Sequence, residues 1–230
     1  MNDLIQSSAR FGVVISLIGY GIGMFLKSKL HCSIFNPILI SIIIVMVTLL
    51  AFDIDYDSYL SSAKYLSWLL TPATVSLAIP LYAQIEKLKK NLVAILCSLT
   101  AGTLTSLCSV LIMSYLFRLT HEEYVTLLPK SITTAIGIGV SEELGGYATI
   151  TVAVIIITGI LGNMSADLVC ALFRITDPMA KGLAIGASSH AIGTAKAMEL
   201  GEVEGAMSSL AIVVSGLLTV IGASFFAMLL

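Results

Sequence analysis

The feature that most constrains this chain is a series of long apolar runs separated by short polar breaks. Phe11 to Leu26, Ile34 to Phe52, Leu92 to Phe117, Tyr147 to Phe173 and Met207 to Leu230 hold almost no charged side chains. A helix that crosses a bilayer needs about 20 mostly apolar residues. Hydrophobic residues fill 57% of the 230 positions and charged residues 11%, where a soluble domain carries about 25% charge. A soluble fold of this size could not cover so much apolar surface, and the mean hydropathy of +1.01 agrees. No polar stretch is long enough to be a separate soluble domain. The expected fold class is therefore all-α integral membrane, a polytopic helical bundle forming one membrane domain over residues 1–230. A multi-pass place in the inner (plasma) membrane follows from the same pattern.

Several function classes drop out. The net charge is −2, with no basic patch interleaved with aromatics, so no nucleic acid is expected as partner. No glycine stands directly before a Lys-Ser/Thr pair, as a phosphate loop requires, so phosphate loops drop out. The four cysteines, Cys32, Cys97, Cys108 and Cys170, have no metal-ligand spacing and read as small apolar side chains. No metal, cofactor or enzymatic turnover is expected. The first run ends in Lys27 to His31 rather than in a small-residue cleavage site, so it reads as a membrane helix and not as a cleaved signal.

Three segments depart from the simple span. The third run, Tyr59 to Tyr82, is interrupted at Thr71-Pro72 and again at Pro80. Ile132 to Val140 is short and weakly apolar. Gly182 to Leu200 is rich in Gly, Ala and Ser and too polar to face lipid. Six to eight crossings follow, depending on which short segments cross and which turn back. Lys and Arg mark cytoplasmic loops. That rule groups Lys27/Lys29, Lys87/Lys89/Lys90 and Arg174/Lys181 on the inside, provided that Tyr59–Tyr82 crosses once and that Arg118 to Gly146 begins and ends outside, with Ile132–Val140 dipping in and returning. Arg10 opposes the external N-terminus this gives.

Two of the departures read alike. Pro72-Ala73-Thr74-Val75-Ser76-Leu77-Ala78-Ile79-Pro80 is echoed 57 residues later by Pro129-Lys130-Ser131-Ile132-Thr133-Thr134-Ala135-Ile136-Gly137. Proline costs nothing in the first turn of a helix, where its missing N–H would be unpaired anyway. The remaining free N–H groups at such an end attract anions. Paired, proline-interrupted short segments point to a transporter binding site and to an inverted internal repeat, here with halves near 11–117 and 118–230. Pro72, Thr74, Ser76, Pro129, Ser131, Thr133 and Thr134 are then substrate-binding candidates. The plainer reading is that the prolines kink helices and the hydroxyls satisfy the freed carbonyls.

The stretch Ser188-Ser189-His190-Ala191-Ile192-Gly193-Thr194-Ala195-Lys196 adds further candidates. Ionisable residues at membrane depth are costly and usually functional. Ser189, His190, Thr194 and Lys196 join the binding set, and His190, Glu142 and Glu143 are the proton-coupling candidates. His190 and Lys196 lie on different faces of a continuous helix; a break at Gly193 would bring them together. The alternatives are a structural hydrogen bond for His190, snorkelling for Lys196 and a solvated loop for the glutamates.

With these residues the chain resembles the LrgB/CidB family. The resemblance runs over about residues 10–230 and rests on the Pro72–Tyr82 and Leu128–Thr134 segments, Gly145-Gly146, Arg174-Ile175-Thr176-Asp177-Pro178-Met179-Ala180-Lys181-Gly182-Leu183-Ala184, and Ser189 to Lys196. It implies one of two roles. One is an antiholin-like regulator of murein hydrolase export and autolysis, working with an LrgA/CidA-type membrane partner or as a homo-oligomer. The other is a carrier of small carboxylates of the pyruvate, glycolate and glycerate class. The broken helices and their hydroxyls favour the carrier, working by alternating access, with Lys196, Lys130 or His190 helping to meet the substrate's charge.

Overall fold

The computed structural model describes residues 11–30 and 36–230, with the side chains of Leu70, Thr74 and Leu81 outside that description. Arg10, His31, Cys32 and Ile34 therefore lie outside the described residues, as does the side chain of Thr74. The described chain is helical throughout, with no strand among the described residues. It falls into two compact units that divide between Ser76 and Leu77. Pro72 and Pro129 belong to different units.

The first unit contains α1 (Phe11–Leu30), α2 (Pro37–Ala51), α3 (Tyr56–Trp68) and α4 (Leu70–Ser76). Asn36 opens α2 by accepting from the Ile38 and Leu39 amides, with Pro37 at the first helical position. Asp55 opens α3 in the same way. Lipid supplies no hydrophobic drive between helices, so small residues must let backbones approach. Gly23 packs on the backbone of Pro37 and Gly19 on Ser41, which sets α1 and α2 antiparallel, while Gly12 packs on Ser62. The α2 helix is 15 residues long, shorter than the span expected of its run.

The second unit contains α5 (Ala78–Ala83), α6 (Ile85–Lys90), α7 (Leu92–Phe117), α8 (His121–Leu127), α9 (Thr134–Glu143), α10 (Ala148–Leu172), α11 (Pro178–Leu200), α12 (Glu202–Phe226) and a closing 3-10 turn, Ala227–Leu229. Among the described residues, four stretches are long and apolar enough to cross a bilayer: α1, α7, α10 and Glu202–Leu229. Ile95 and Leu99 pack with Ala206, Met207 and Ala211, and Leu107 and Val110 with Ala223 and Ala227, so α7 and α12 run parallel. Their starts mark one end of the unit, called here the Asn91 end. The other is the Phe117 end.

The interruptions of the third run fall at Leu69 and Leu77, three residues before each proline. Proline would clash with the carbonyl four residues back in a helix interior. The break therefore moves upstream, and Pro72 and Pro80 each become the third residue of a new short helix, α4 and α5.

Between α7 and α10 the chain makes a helical hairpin. Thr120 opens α8 with a capping box closed by Glu123. The Tyr147 amide donates to Thr126 Oγ1 (2.8 Å), and the Thr151 hydroxyl donates to the Thr126 carbonyl (3.0 Å) and lies 2.7 Å from the Ser141 hydroxyl. Pro129 stands beside Gly137. Residue 126 facing 141 and 129 facing 137 can only be an antiparallel pair with its tip near Thr133. Arg118–Gly146 thus enters and leaves at the Phe117 end, the dip and return expected of it. Pro129 lies in the turn rather than opening a helix; Thr133 stands at the N-cap of α9.

A second hairpin lies within α11. His190 has φ 42° and ψ −139°, and the chain reverses there. The reversal is seen in the packing: a Cβ on Gly193 would lie 3.0 Å from the Ile185 carbonyl oxygen, which stands about 12 Å away in a continuous helix. Gly182 and Gly186 pack on the Glu204 and Ser208 backbones, so 178–189 runs parallel to α12. Thr194 meets Ser208, and Met198 meets Gly205, so 191–200 runs antiparallel to it. The break expected at Gly193 therefore sits at His190, where the backbone leaves the helical region. This hairpin enters and leaves at the Asn91 end, opposite to the first.

Candidate functional site

The two hairpins, α7 and α10 border an open-sided cavity of about 980 Å³. From α7 come Asn91, Ser98, Gly102, Thr105, Ser106 and Ser109; from the first hairpin, Lys130 and Ser131; from α10, Thr158, Gly162 and Ser165; from the second hairpin, Asp177, Ala184, Ala187 and Ser188. Asn91 and Asp177 stand at helix ends, so the cavity reaches the Asn91 end. Toward the Phe117 end it is closed by the cluster of Leu107, Val110, Tyr124, Val125, Leu128 and Val140, all buried.

Lys130 stands at the deep end. Its Nζ donates to Ser106 Oγ (3.1 Å) and Ser131 Oγ (3.0 Å), and the two hydroxyl oxygens are 3.3 Å apart. Ser106 is the fifteenth of the 26 residues of α7, so the tip of the first hairpin reaches mid-depth. Among the described residues the ion pairs are Lys196 with Asp167 (2.7 Å) and with Glu199 (3.9 Å), and none involves Lys130. An ammonium has three N–H donors and a hydroxyl has one. Both serine oxygens accept from Lys130, and only one hydroxyl proton can go to the other serine. At least one O–H and one N–H are left to point into the cavity beside a positive charge. That set of donors accommodates an anion.

The second hairpin forms the facing wall. His190 Nε2 donates to the Ile155 carbonyl (3.0 Å), since a carbonyl can only accept, and the Asn163 amide donates to the Ile192 carbonyl (2.8 Å) freed by the reversal. Both contacts need close approach: a Cβ on Gly159 would lie 2.7 Å from the His190 ring, and one on Gly162 would collide with Ser189. Ser188 Oγ lies 3.0 Å from Ser189 Oγ and lines the cavity.

The sequence candidates distribute unevenly over this geometry. Ser131, with Lys130, lines the cavity. Thr133 and Thr134 are half-buried at the first hairpin tip, where Thr133 makes no side-chain capping bond. Ser189, His190 and Thr194 are buried in the second hairpin, with Thr194 bonded to Ser208 (2.7 Å). His190 and Lys196 are not brought together. Their partners Ile155 and Asp167 are twelve residues apart on α10, about 18 Å. Glu142 and Glu143 are exposed. Pro72 and Ser76 are exposed in the first unit, where Ser76 Oγ donates to the Pro72 carbonyl (2.8 Å). The α7 wall escaped sequence reasoning. Its signal was Ser98, Gly102, Thr105, Ser106 and Ser109, small or hydroxylated residues on one helical face of a run read as a plain span.

Fold and site together define a polytopic helical membrane protein with two re-entrant hairpins bordering one hydroxyl-lined cavity. The pattern of the LrgB-like family matches residues 16–229. The antiholin-like protein LrgB of Bacillus cereus (strain B4264) is 38% identical over 212 residues, 92% of each chain, and the one from Bacillus anthracis (strain A0248) is equally similar. The chain belongs to the LrgB-like family. No solved structure gives a significant match.

Proposed function

We propose that this protein carries small monocarboxylate anions across the membrane through the cavity between its hairpins. The observation that carries the reading is Lys130, a half-buried ammonium without a carboxylate partner, held by two hydroxyls whose remaining donors face the cavity. A carboxylate of two or three carbons supplies the missing acceptor. Lys87, Lys89, Lys90, Arg174 and Lys181 cluster toward the Asn91 end and Arg118 toward the Phe117 end, so the open mouth is read as cytoplasmic. Closure there and opening beyond the Phe117-end cluster would complete alternating access. His190 remains the internal proton-coupling candidate, since Glu142 and Glu143 are exposed.

The relatives' name supports a second reading, an antiholin-like regulator acting with an LrgA-type partner. Purified protein in liposomes separates the two. The carrier reading expects saturable uptake of labelled pyruvate or glycolate under a proton gradient. Charged hydrogen bonds are worth roughly 1.5–3 kcal/mol, so Lys130→Met should weaken uptake at least about tenfold, and Lys130→Arg should keep part of it. Dye release without saturable uptake, or full activity of Lys130→Met, would overturn the carrier reading.

A further inference from the structure

The Arg174–Lys181 segment, prominent in the sequence, takes no part in the cavity's cationic end. It builds a second cleft of about 440 Å³ at the Asn91 end, lined among others by Asp167, Arg174, Thr176, Lys181 and Leu200. Among the described residues, neither Arg174 nor Lys181 makes an ion pair. Asp167 offers them little, because it is already joined to Lys196 at 2.7 Å. The cleft therefore carries two positive charges with no ion-pair partner among the described residues.

Its position adds a second observation. Asp167, Ala171 and Arg174 share one face at the end of α10, and Leu168 and Leu172 lie on the adjoining face, each 71% exposed, with Phe173 70% exposed beside them. The charged cleft thus sits where the lipid-facing surface stops. Arg174 also occupies a left-handed position, φ 54°, closing α10 with the Ile175 amide on the Cys170 carbonyl. Glycine is the residue suited to that site.

We infer that this cleft binds the phosphate of an anionic phospholipid headgroup, with Arg174 and Lys181 meeting the phosphate and the acyl chains lying along Leu168 and Leu172. Guanidinium groups match phosphate oxygens in fork geometry, and lysine adds a point charge. The cleft takes walls from both feet of the second hairpin, Lys181 and Leu200, so a bound headgroup would tie those feet to the end of α10.

The test titrates the purified full chain in dodecyl maltoside with dioleoyl-phosphatidylglycerol, dioleoyl-phosphatidylcholine or inorganic phosphate, reading bound lipid by native mass spectrometry and thermal stability in parallel. Phosphatidylglycerol should bind at least fivefold more tightly than phosphatidylcholine. Arg174→Gly and Lys181→Gln should each remove most of that preference. Arg174→Gly suits the left-handed backbone and keeps the fold, so its loss of binding cannot be put down to unfolding. Equal binding of the two lipids, or an unchanged preference in both variants, overturns the site. Saturable stabilisation by inorganic phosphate alone, lost in both variants, overturns the lipid as its source.

Discussion

Substituting His190 tests the reversal on which the cavity's second wall depends. In a helix interior glycine is about 1 kcal/mol worse than alanine, because it gives up more backbone freedom on folding. At φ 42° and ψ −139° the order inverts, since a Cβ in such a region costs of order 1–3 kcal/mol. His190→Ala and His190→Gly both lose the ring and its bond to the Ile155 carbonyl, so that shared loss cancels between them. His190→Gly should therefore be the more stable variant by about 1–3 kcal/mol, although both fall below the parent. For a body of this size that is roughly 2–12 °C in Tm. The assay is thermal unfolding in detergent, followed by circular dichroism or by loss of the monodisperse gel-filtration peak. Gly193→Ala serves as an internal check. In a continuous helix it would stabilise; here its Cβ would meet Ser189 Cβ at 2.5 Å and Ile185 O at 3.0 Å, and it should destabilise. If His190→Ala matches or exceeds His190→Gly, residues 178–200 form one helix and the proposed site loses a wall.

Further expectations follow from packing, charge and access. A side chain on Gly186 runs into the Ser208 backbone, which cannot yield, so Gly186→Leu should abolish the folded peak on gel filtration, whereas Gly139→Ala, with open space around it, should leave Tm unchanged or raised. Asp167→Asn removes the near partner of Lys196; with Asp167 half exposed the loss should be about 0.5–1 kcal/mol in thermal melts, and Lys196→Met in the same chain should restore part of it. Ser98→Cys, in a chain whose own cysteines are replaced by alanine, should react with a membrane-impermeant maleimide in inside-out vesicles and not in intact cells; the reverse pattern would place the cavity mouth outside.

The spans were legible because lipid leaves little choice: every backbone polar group must be satisfied within the segment, which takes a long apolar helix. The first hairpin was legible for the converse reason, since Pro129, Lys130 and Ser131 cannot sit in a lipid-facing helix. The second was visible as a stretch too polar for lipid with a break expected at Gly193. The reversal sits instead at His190, which carries none of the turn signal of glycine, asparagine or proline. What permits the turn lies elsewhere in sequence, at Gly159, Gly162 and Asn163. The partner of Lys196 was not legible either, because Asp167, toward the end of a span, reads by default as a capping or solvated residue. Proline positions located the breaks of the third run to within three residues, the offset being the first helical turn that proline tolerates.

The two lysines of the hairpins show why the cavity reads as an anion site. Lys196 is tied to a carboxylate at 2.7 Å, with a second at 3.9 Å, and its charge is spent within the protein. Lys130 reaches mid-depth and finds only hydroxyls. A cation at the centre of a bilayer costs at least about 2.5–3.5 kcal/mol unless water or a counter-charge meets it. Water entering from the Asn91 end would lower that cost, and a methionine would remove it. Hydration alone does not explain the serines, because each spends an acceptor on Lys130 and leaves its proton to be placed. With one hydroxyl turned toward the other, the second still points into the cavity beside the free N–H. A cation would be repelled there and a neutral ligand would leave the charge unmet, whereas an anion accepts both hydrogen bonds and balances the charge. The prediction that follows is one of sign. Uptake of a labelled monocarboxylate should be inhibited by its unlabelled form and not by the matching uncharged amide, and equal inhibition by the amide would remove Lys130 from the site.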